Sequence, residues 1–228
     1  MEHSKQKALV VLSGGQDSTT CLHWTLNRYA DVRAVTFDYG QKHRIEIEQA
    51  QKIAEANKVE WELIKIPSMA GTSPLTNPDV ELGKYEKVND LPEGIEPTFV
   101  PARNLIFLSI AVNRAAAWGA TAIVTGVCQE DFGGYPDCRR VFIDHLEYTF
   151  SSALEDACER ISILTPLMDL TKAESVTLAD KEGAWESLAL SQTCYEGSRP
   201  PCGHCHACHL RQRGFKDAGL RDPLLEAF

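Results

Sequence analysis

The sequence predicts an α/β fold, a doubly wound, Rossmann-like parallel sheet of about five strands carrying a small C-terminal metal-binding module. Three observations predict it. Short β-branched apolar runs alternate with helical stretches of 10–15 residues, which is the signature of βαβ crossovers. The first of these runs ends in a glycine-bearing turn, SGGQDS, that opens a helix. Four cysteines cluster in the last forty residues, as C-x7-C-x2-C-x2-C.

Lys7–Leu12 (KALVVL) reads as a strand buried on both faces. After the turn at Ser13-Gly14-Gly15, the stretch from Asp17 to about Tyr29 carries Cys21, Leu22, Trp24, Leu26 and Tyr29 at helical spacings. Val32–Phe37 is a second strand, Arg44–Asn57 a second helix and Val59–Ile66 a third strand. Between Pro67 and Pro101 six prolines accumulate with no clear period, the composition of a lid or binding segment. Arg103–Trp118 is an apolar helix and Ala122–Val127 a fourth strand. A loop, GVCQEDFGGYPDCRR, precedes a helix over roughly 141–158. Ile161–Leu164 is a short fifth strand. Thr171 and Glu174 form a T-x-x-E capping box at the start of a helix that runs to Gly183. The expected division is a nucleotide-binding and catalytic unit over 1–190 and a cysteine-rich module over 191–228.

The chain has 228 residues, enough for one sizeable core. A formal charge of −9 disfavours wholesale binding to phosphate backbones, so no nucleic-acid partner is expected. The N-terminus passes straight into a strand without an apolar export segment, and no apolar run approaches the roughly 18 residues that a membrane span requires. A cytoplasmic protein without a membrane partner is the expectation. In that reducing compartment eight cysteines point to metal ligation or chemistry rather than disulfides.

The SGGQDS turn sits where a strand hands over to a helix, and a helix N-terminus offers unpaired amides and partial positive charge to an anion. Glycines allow close backbone approach. Ser13, Ser18, Thr19 and Thr20 add hydroxyl donors, and Asp17 is placed to cap the helix or hold a magnesium ion. The turn matches neither G-x-x-x-x-G-K-[ST] nor G-x-G-x-x-G. It resembles the signature of the PP-loop ATP pyrophosphatases, which cleave ATP between the α and β phosphates. That resemblance assigns Leu12, Ser13, Gly14, Gly15, Gln16, Asp17, Ser18, Thr19, Thr20, Cys21 and Leu22 to the nucleotide loop.

Cys194, Cys202, Cys205 and Cys208 suit a closed tetrahedral zinc site. An iron–sulfur cluster is the rival, and the spacing favours zinc only modestly. Arg199, Arg211, Arg213, Lys216 and Arg221 are expected to balance the negative charge of the thiolates.

Taken together, SGGQDSTTCL, FDYGQKHRIEIE, FVPARN, TGVCQEDFGGYPDCR, TPLMDLTKAE and CGHCHACHLR resemble the 7-cyano-7-deazaguanine synthase family of the queuosine precursor pathway. Only 69–96 lies outside the match, and Ala102 stands where that family often has glycine. The resemblance implies conversion of 7-carboxy-7-deazaguanine and ammonia to the nitrile, with ATP, Mg²⁺, a structural Zn²⁺ and a homodimer. Arg103 and Lys172, each at a helix start, are the expected clamps for phosphates or the substrate carboxylate. Asp131, Tyr135 and Asp137, beyond the carboxyl end of the fourth strand, are placed to read the deazaguanine, although a loop cap serves equally for Asp137. A tRNA sulfur-transferase using Cys128 and Cys138, and a non-catalytic zinc module that binds nucleic acid, are the alternatives.

Overall fold

The computed structural model describes residues 6–67, 69, 71, 73–91, 94–129 and 134–227. Five strands form one parallel sheet: β1 (Lys7–Val11), β2 (Asp31–Asp38), β3 (Glu60–Lys65), β4 (Ala122–Val124) and β5 (Ser162–Leu164), in the order β3-β2-β1-β4-β5. Each strand lies where the sequence places it, with β4 and β5 shorter than expected. Ala8 lies beside Val32 on one side and beside Ala122 on the other. β1 is therefore the central strand, which is why its residues are apolar on both faces.

Strand alternation divides the interior. Leu9, Val35, Phe37 and Ile123 pack on one face against Leu108, Ala111, Val112 and Ala115 of α3 (Arg103–Trp118) and Ile143 and Leu146 of α4 (Arg140–Ala153). Ala8, Val10, Ala34 and Val124 pack on the opposite face against Cys21 and Leu22 of α1 (Gln16–Leu26) and Ala50, Ile53 and Ala54 of α2 (Ile45–Ala56). A third, smaller cluster joins Val176 and Ala179 of α5 (Lys172–Lys181), Leu188 of α6 (Trp185–Leu190) and Phe215 of α7 (His206–Asp217). The predicted box starts α5: Thr171 Oγ1 accepts from the Glu174 amide at 3.2 Å, and Glu174 Oε2 accepts from the Thr171 amide at 2.8 Å. α6 follows the last helix read from the sequence, and α7 lies in the stretch read only as a cysteine-rich module.

Within the tail, a buried ion pair ties α7 to the final loop. Arg211 donates to Asp222 through Nε at 2.6 Å and Nη2 at 2.8 Å, and both side chains are almost wholly buried. Its Nη1 also donates to Ser191 Oγ and Thr193 Oγ1. Two other basic residues of the tail also have partners of their own. Arg199 donates to the carbonyls of Ala189, Leu190 and Ser191, and Arg213 pairs with Asp217. These guanidiniums serve the backbone and carboxylates because those acceptors lie within reach.

The proline-rich stretch holds a single short 3-10 turn, Val88–Asp90, among its described residues, and is pinned at several points. Lys42 donates to the carbonyls of Leu75 and Val80. Tyr85 is held through its main chain, its amide on the His204 carbonyl at 2.9 Å and its carbonyl on His209 Nε2 at 2.8 Å. Among the described residues no helix is long and apolar enough to cross a membrane. Replacing Asp222 by Ala strands the Arg211 charge in the interior, and chemical denaturation is expected to show a loss of about 3–5 kcal/mol.

Candidate functional site

A cavity of about 280 Å³ opens beyond the carboxyl ends of β1, β2 and β4. The strand order reverses between β1 and β4, and in open parallel sheets that switch is where ligands bind. The turn after β1 forms its floor. Gly14 has φ +87, and a Cβ there would lie 2.3 Å from the Glu46 carbonyl oxygen of α2. Only glycine fits between the two backbones. The Gly14 carbonyl accepts from the Gln192 amide at 2.8 Å, tying the tail to the turn. Gly126, after β4, lies so close to α1 that a Cβ would come within 3.0 Å of the Ser18 nitrogen.

The hydroxyls of the turn bond to the turn itself. Ser18 Oγ donates to the Gly15 carbonyl at 3.1 Å and accepts from the Ser13 amide at 3.1 Å, while Ser13 Oγ lies 3.0 Å from Ser18 Oγ. Thr19 and Thr20 are fully buried and donate to the carbonyls of Gly15 and Gln16. The hydroxyls thus hold the turn in shape, because carbonyls one turn back lie within reach. Leu12, Cys21 and Leu22 are core residues with no exposed surface. Leu12, Ser13, Gly15, Gln16, Asp17 and Ser18 border the cavity, and what the turn can present to an anion is the first-turn amides of α1, which have no acceptor in their own helix.

Arg103 and Lys172, distant in sequence, both reach this cavity. Lys172 Nζ donates to Asp17 Oδ2 at 2.7 Å. Asp17 Oδ1, Gln16 Nε2 and Gln192 Oε1 are buried polar atoms with no partner among the described residues, three groups arranged for a ligand. Burial works against the Arg103 charge, but Tyr39, Cys138, Tyr135 and Asp137 around it prevail and hold its pKa above the ordinary value. Its neighbour Ala102 has φ +59, the conformation that a glycine would adopt without strain.

The opposite wall is aromatic. Phe107 stacks on Phe37 with centroids 4.3 Å apart and meets Tyr39 edge-on at 5.3 Å. Tyr135 and Tyr195 continue it. Tyr135 donates its hydroxyl to Glu96 Oε2 at 2.8 Å and lies 2.5 Å from Thr98 Oγ1. Glu96 is buried, which raises its pKa against the pull of Tyr135 and the Thr98 amide. Asp137 takes the loop-cap role: Oδ2 accepts from the Asn104 amide in the first turn of α3 at 3.1 Å. It is buried and is not among the residues that border the cavity. Asp131 lies outside the described residues. Glu46, Thr193, Tyr195, Gln192, Glu96 and Arg211 were missed in the sequence. Phe37 and Tyr39 could have been found, since they end β2 beside the switch.

The four cysteine Sγ atoms lie within 4.8 Å of one another, and those of Cys202 and Cys208 are 3.9 Å apart. Tetrahedral zinc with bonds near 2.3 Å spaces its sulfurs by about 3.8 Å, so the set fits. The amides of Cys202 and Cys205 donate to the sulfurs of Cys194 and Cys202, each at 3.4 Å. Hydrogen bonds from Cys205 and Cys208 hold the Cys194 thiol well below its ordinary pKa. His209 and His204 are engaged elsewhere, on the Tyr85 carbonyl and on Glu196. Cys128 and Cys138 belong to hydrophobic clusters on opposite faces of the sheet.

Comparison with known proteins decides the family. The sequence model described as "Queuosine biosynthesis protein QueC" matches residues 7–219. The 7-cyano-7-deazaguanine synthase of Gloeobacter violaceus is 50% identical over 224 residues, 96% of this chain and 95% of its own. The chain belongs to this family. The synthase of that name from Bacillus subtilis is 45% identical over 217 residues, 93% of this chain and 95% of the relative. Among solved structures, the NH3-dependent NAD synthetase from Campylobacter jejuni aligns with 81% of this chain and 67% of its own, at 16% identity and TM-score 0.44. A 4-thiouridine synthetase–RNA complex with bound ATP aligns with 97% of this chain and 52% of its own, at 20% identity and TM-score 0.47.

Gly14→Ala is expected to lower stability by more than about 2 kcal/mol in chemical denaturation, since it adds both a left-handed backbone penalty and a clash. Burial raises Glu46 from the usual 4.5 to about 7 against the pull of Arg103. A raised carboxyl pKa means that the unfolded chain releases its proton first, so stability falls as pH rises from 4.5 to 7. Glu46→Gln removes this loss, and its melting temperature should gain on the parent's as pH passes through that window.

Proposed function

We propose that the protein is a carbon–nitrogen ligase that converts 7-carboxy-7-deazaguanine and ammonia into 7-cyano-7-deazaguanine at the expense of ATP. The observation that carries this reading is the N-terminus of α1, opening with Arg103 and Lys172 into one cavity whose far wall is aromatic. Anionic phosphates suit the first region and a planar deazapurine the second.

A carboxylate resists attack by ammonia because oxide would have to leave. In the proposed route a substrate carboxylate oxygen attacks the α-phosphorus of ATP, forming an acyl adenylate and releasing pyrophosphate. The α1 amides and Lys172 meet the charge that develops on the pyrophosphate, and Arg103 orients the carboxylate. Ammonia attacks the acyl carbon, gives up a proton, and AMP leaves as the amide forms. The amide oxygen then attacks a second α-phosphorus, and loss of AMP with the remaining amide protons yields the nitrile. Tyr135, braced by Glu96, holds its ring against the deazapurine face. A Mg²⁺ ion held through Asp17, whose Oδ1 lacks a partner among the described residues, would neutralise phosphate charge.

The four cysteines are proposed to hold a structural Zn²⁺ that fixes the tail, so that residues 1–190 act as the nucleotide-binding and catalytic unit and 191–228 as a module packed on it. Leu105 and Ile106 of α3 and Val141 and Tyr148 of α4 stay exposed on two helices of one face, a surface that a second copy in a homodimer would cover. The protein is proposed to act in the cytoplasm.

Protein incubated with ATP, Mg²⁺, ammonium and the carboxy-deazapurine is expected to yield the nitrile in mass spectrometry, and its absence would overturn the reading. Lys172→Ala should lower kcat/KM by about 100- to 1,000-fold, the usual loss for one preorganised donor.

A further inference from the structure

Beside the four-cysteine cage lies a second group of donors. Glu196 Oε1 and His204 Nε2 are 2.9 Å apart, and Cys202 Sγ lies within 4.8 Å of both. Cys202 is a member of both groups. The two groups differ in access. Residues Cys194, Cys205 and Cys208 are 0, 1 and 3% exposed, whereas Cys202 is half-buried and the side chains of Glu196 and His204 are 30% and 39% exposed. A metal ion approaching the cage from solvent therefore meets the shared sulfur first, with a carboxylate and an imidazole on either side of it.

The chemistry of the donors runs in the same direction. Oxygen and nitrogen ligands suit a divalent ion that still carries water, and thiolates hold a zinc-like ion more tightly once that water is gone. Three ligands leave coordination positions open, while four thiolates close the shell. His204 is offered from a fixed backbone, since its carbonyl accepts from the Tyr85 amide at 2.9 Å. Cys208 Sγ lies 3.9 Å from Cys202 Sγ, close enough to take the ion while Cys202 keeps its bond.

We propose that Glu196, Cys202 and His204 form a transit site through which a zinc-type divalent ion enters and leaves the four-cysteine cage. The inference rests on the cage holding such a metal. In the transfer, bonds from the metal to the Glu196 oxygen and the His204 nitrogen break as bonds to the three inner sulfurs form. Each entering thiol gives its proton to solvent, and Cys202 remains a ligand throughout. Because the final ligand set contains neither Glu196 nor His204, the pair changes the rate of exchange and leaves the position of equilibrium alone. A mere surface ion pair would change neither.

The test uses the purified, metal-loaded protein. Zinc content is measured by elemental analysis, and release to an excess of a chromophoric chelator is followed by absorbance for the parent, Glu196→Gln and His204→Gln. Arg213→Gln, which breaks an exposed pair elsewhere on α7, serves as the control. The expected result is one zinc per chain and one melting temperature in all four, with release slowed about tenfold in the two transit variants, the lower end of what loss of a metal-associated partner costs. Uptake by the stripped proteins should slow by the same factor. Release that is unchanged or faster in both transit variants overturns the transit site and leaves an ion pair. A parent protein that purifies without zinc overturns the four-cysteine reading itself, which is a separate failure.

Discussion

The turn after the central strand has room for no side chain at position 14, and much of the molecule is arranged around that fact. The Gly14 α-carbon rests on the backbone of α2, its carbonyl receives the Gln192 amide, and its successor begins α1. Three pieces of chain far apart in sequence meet at one residue. The first-turn amides of α1 have no acceptor in their own helix, and packing holds the turn that leads into them. The serine and threonine hydroxyls complete the same task from within.

The cysteine-rich tail is part of the cavity rather than an attachment to it. Thr193, Tyr195, Ala207, Leu210 and Arg211 border the space that the turn after β1 opens. Arg211 also anchors the final loop through Asp222, so one side chain joins the cavity wall, the segment before the cysteines and the C-terminal end. A buried charge of this kind holds its surroundings in one arrangement, because any other would leave it unpaired.

The sheet was legible because β1, β2 and β4 are buried on both faces and must be apolar, and the helices because their caps and spacing are local. Thr171 and Glu174 announce their helix within four residues. The turn and the four cysteines were legible for the same reason, as contiguous patterns. Contacts between distant segments were not legible. Glu96 becomes notable only beside Tyr135, and Arg211 only beside Asp222, which no spacing rule connects. Asp137 sat in a loop that promised ligand contact, yet the nearest unmet amides were those of α3, and capping prevailed. α6 went unread because its six residues are too few to show a period, and α7 because its histidines, cysteine and glycine give a weak apolar one.

The way in which Tyr85 is held has a consequence for how freely this region can diverge. Both ends of its peptide unit are gripped by the tail, one by a carbonyl and one by an imidazole. A grip on the main chain is indifferent to which side chain the residue bears, and proline alone, lacking the amide hydrogen, cannot take part. Around Tyr85 the long proline-rich excursion is thus moored by its main chain, and its letters reveal little about that fastening.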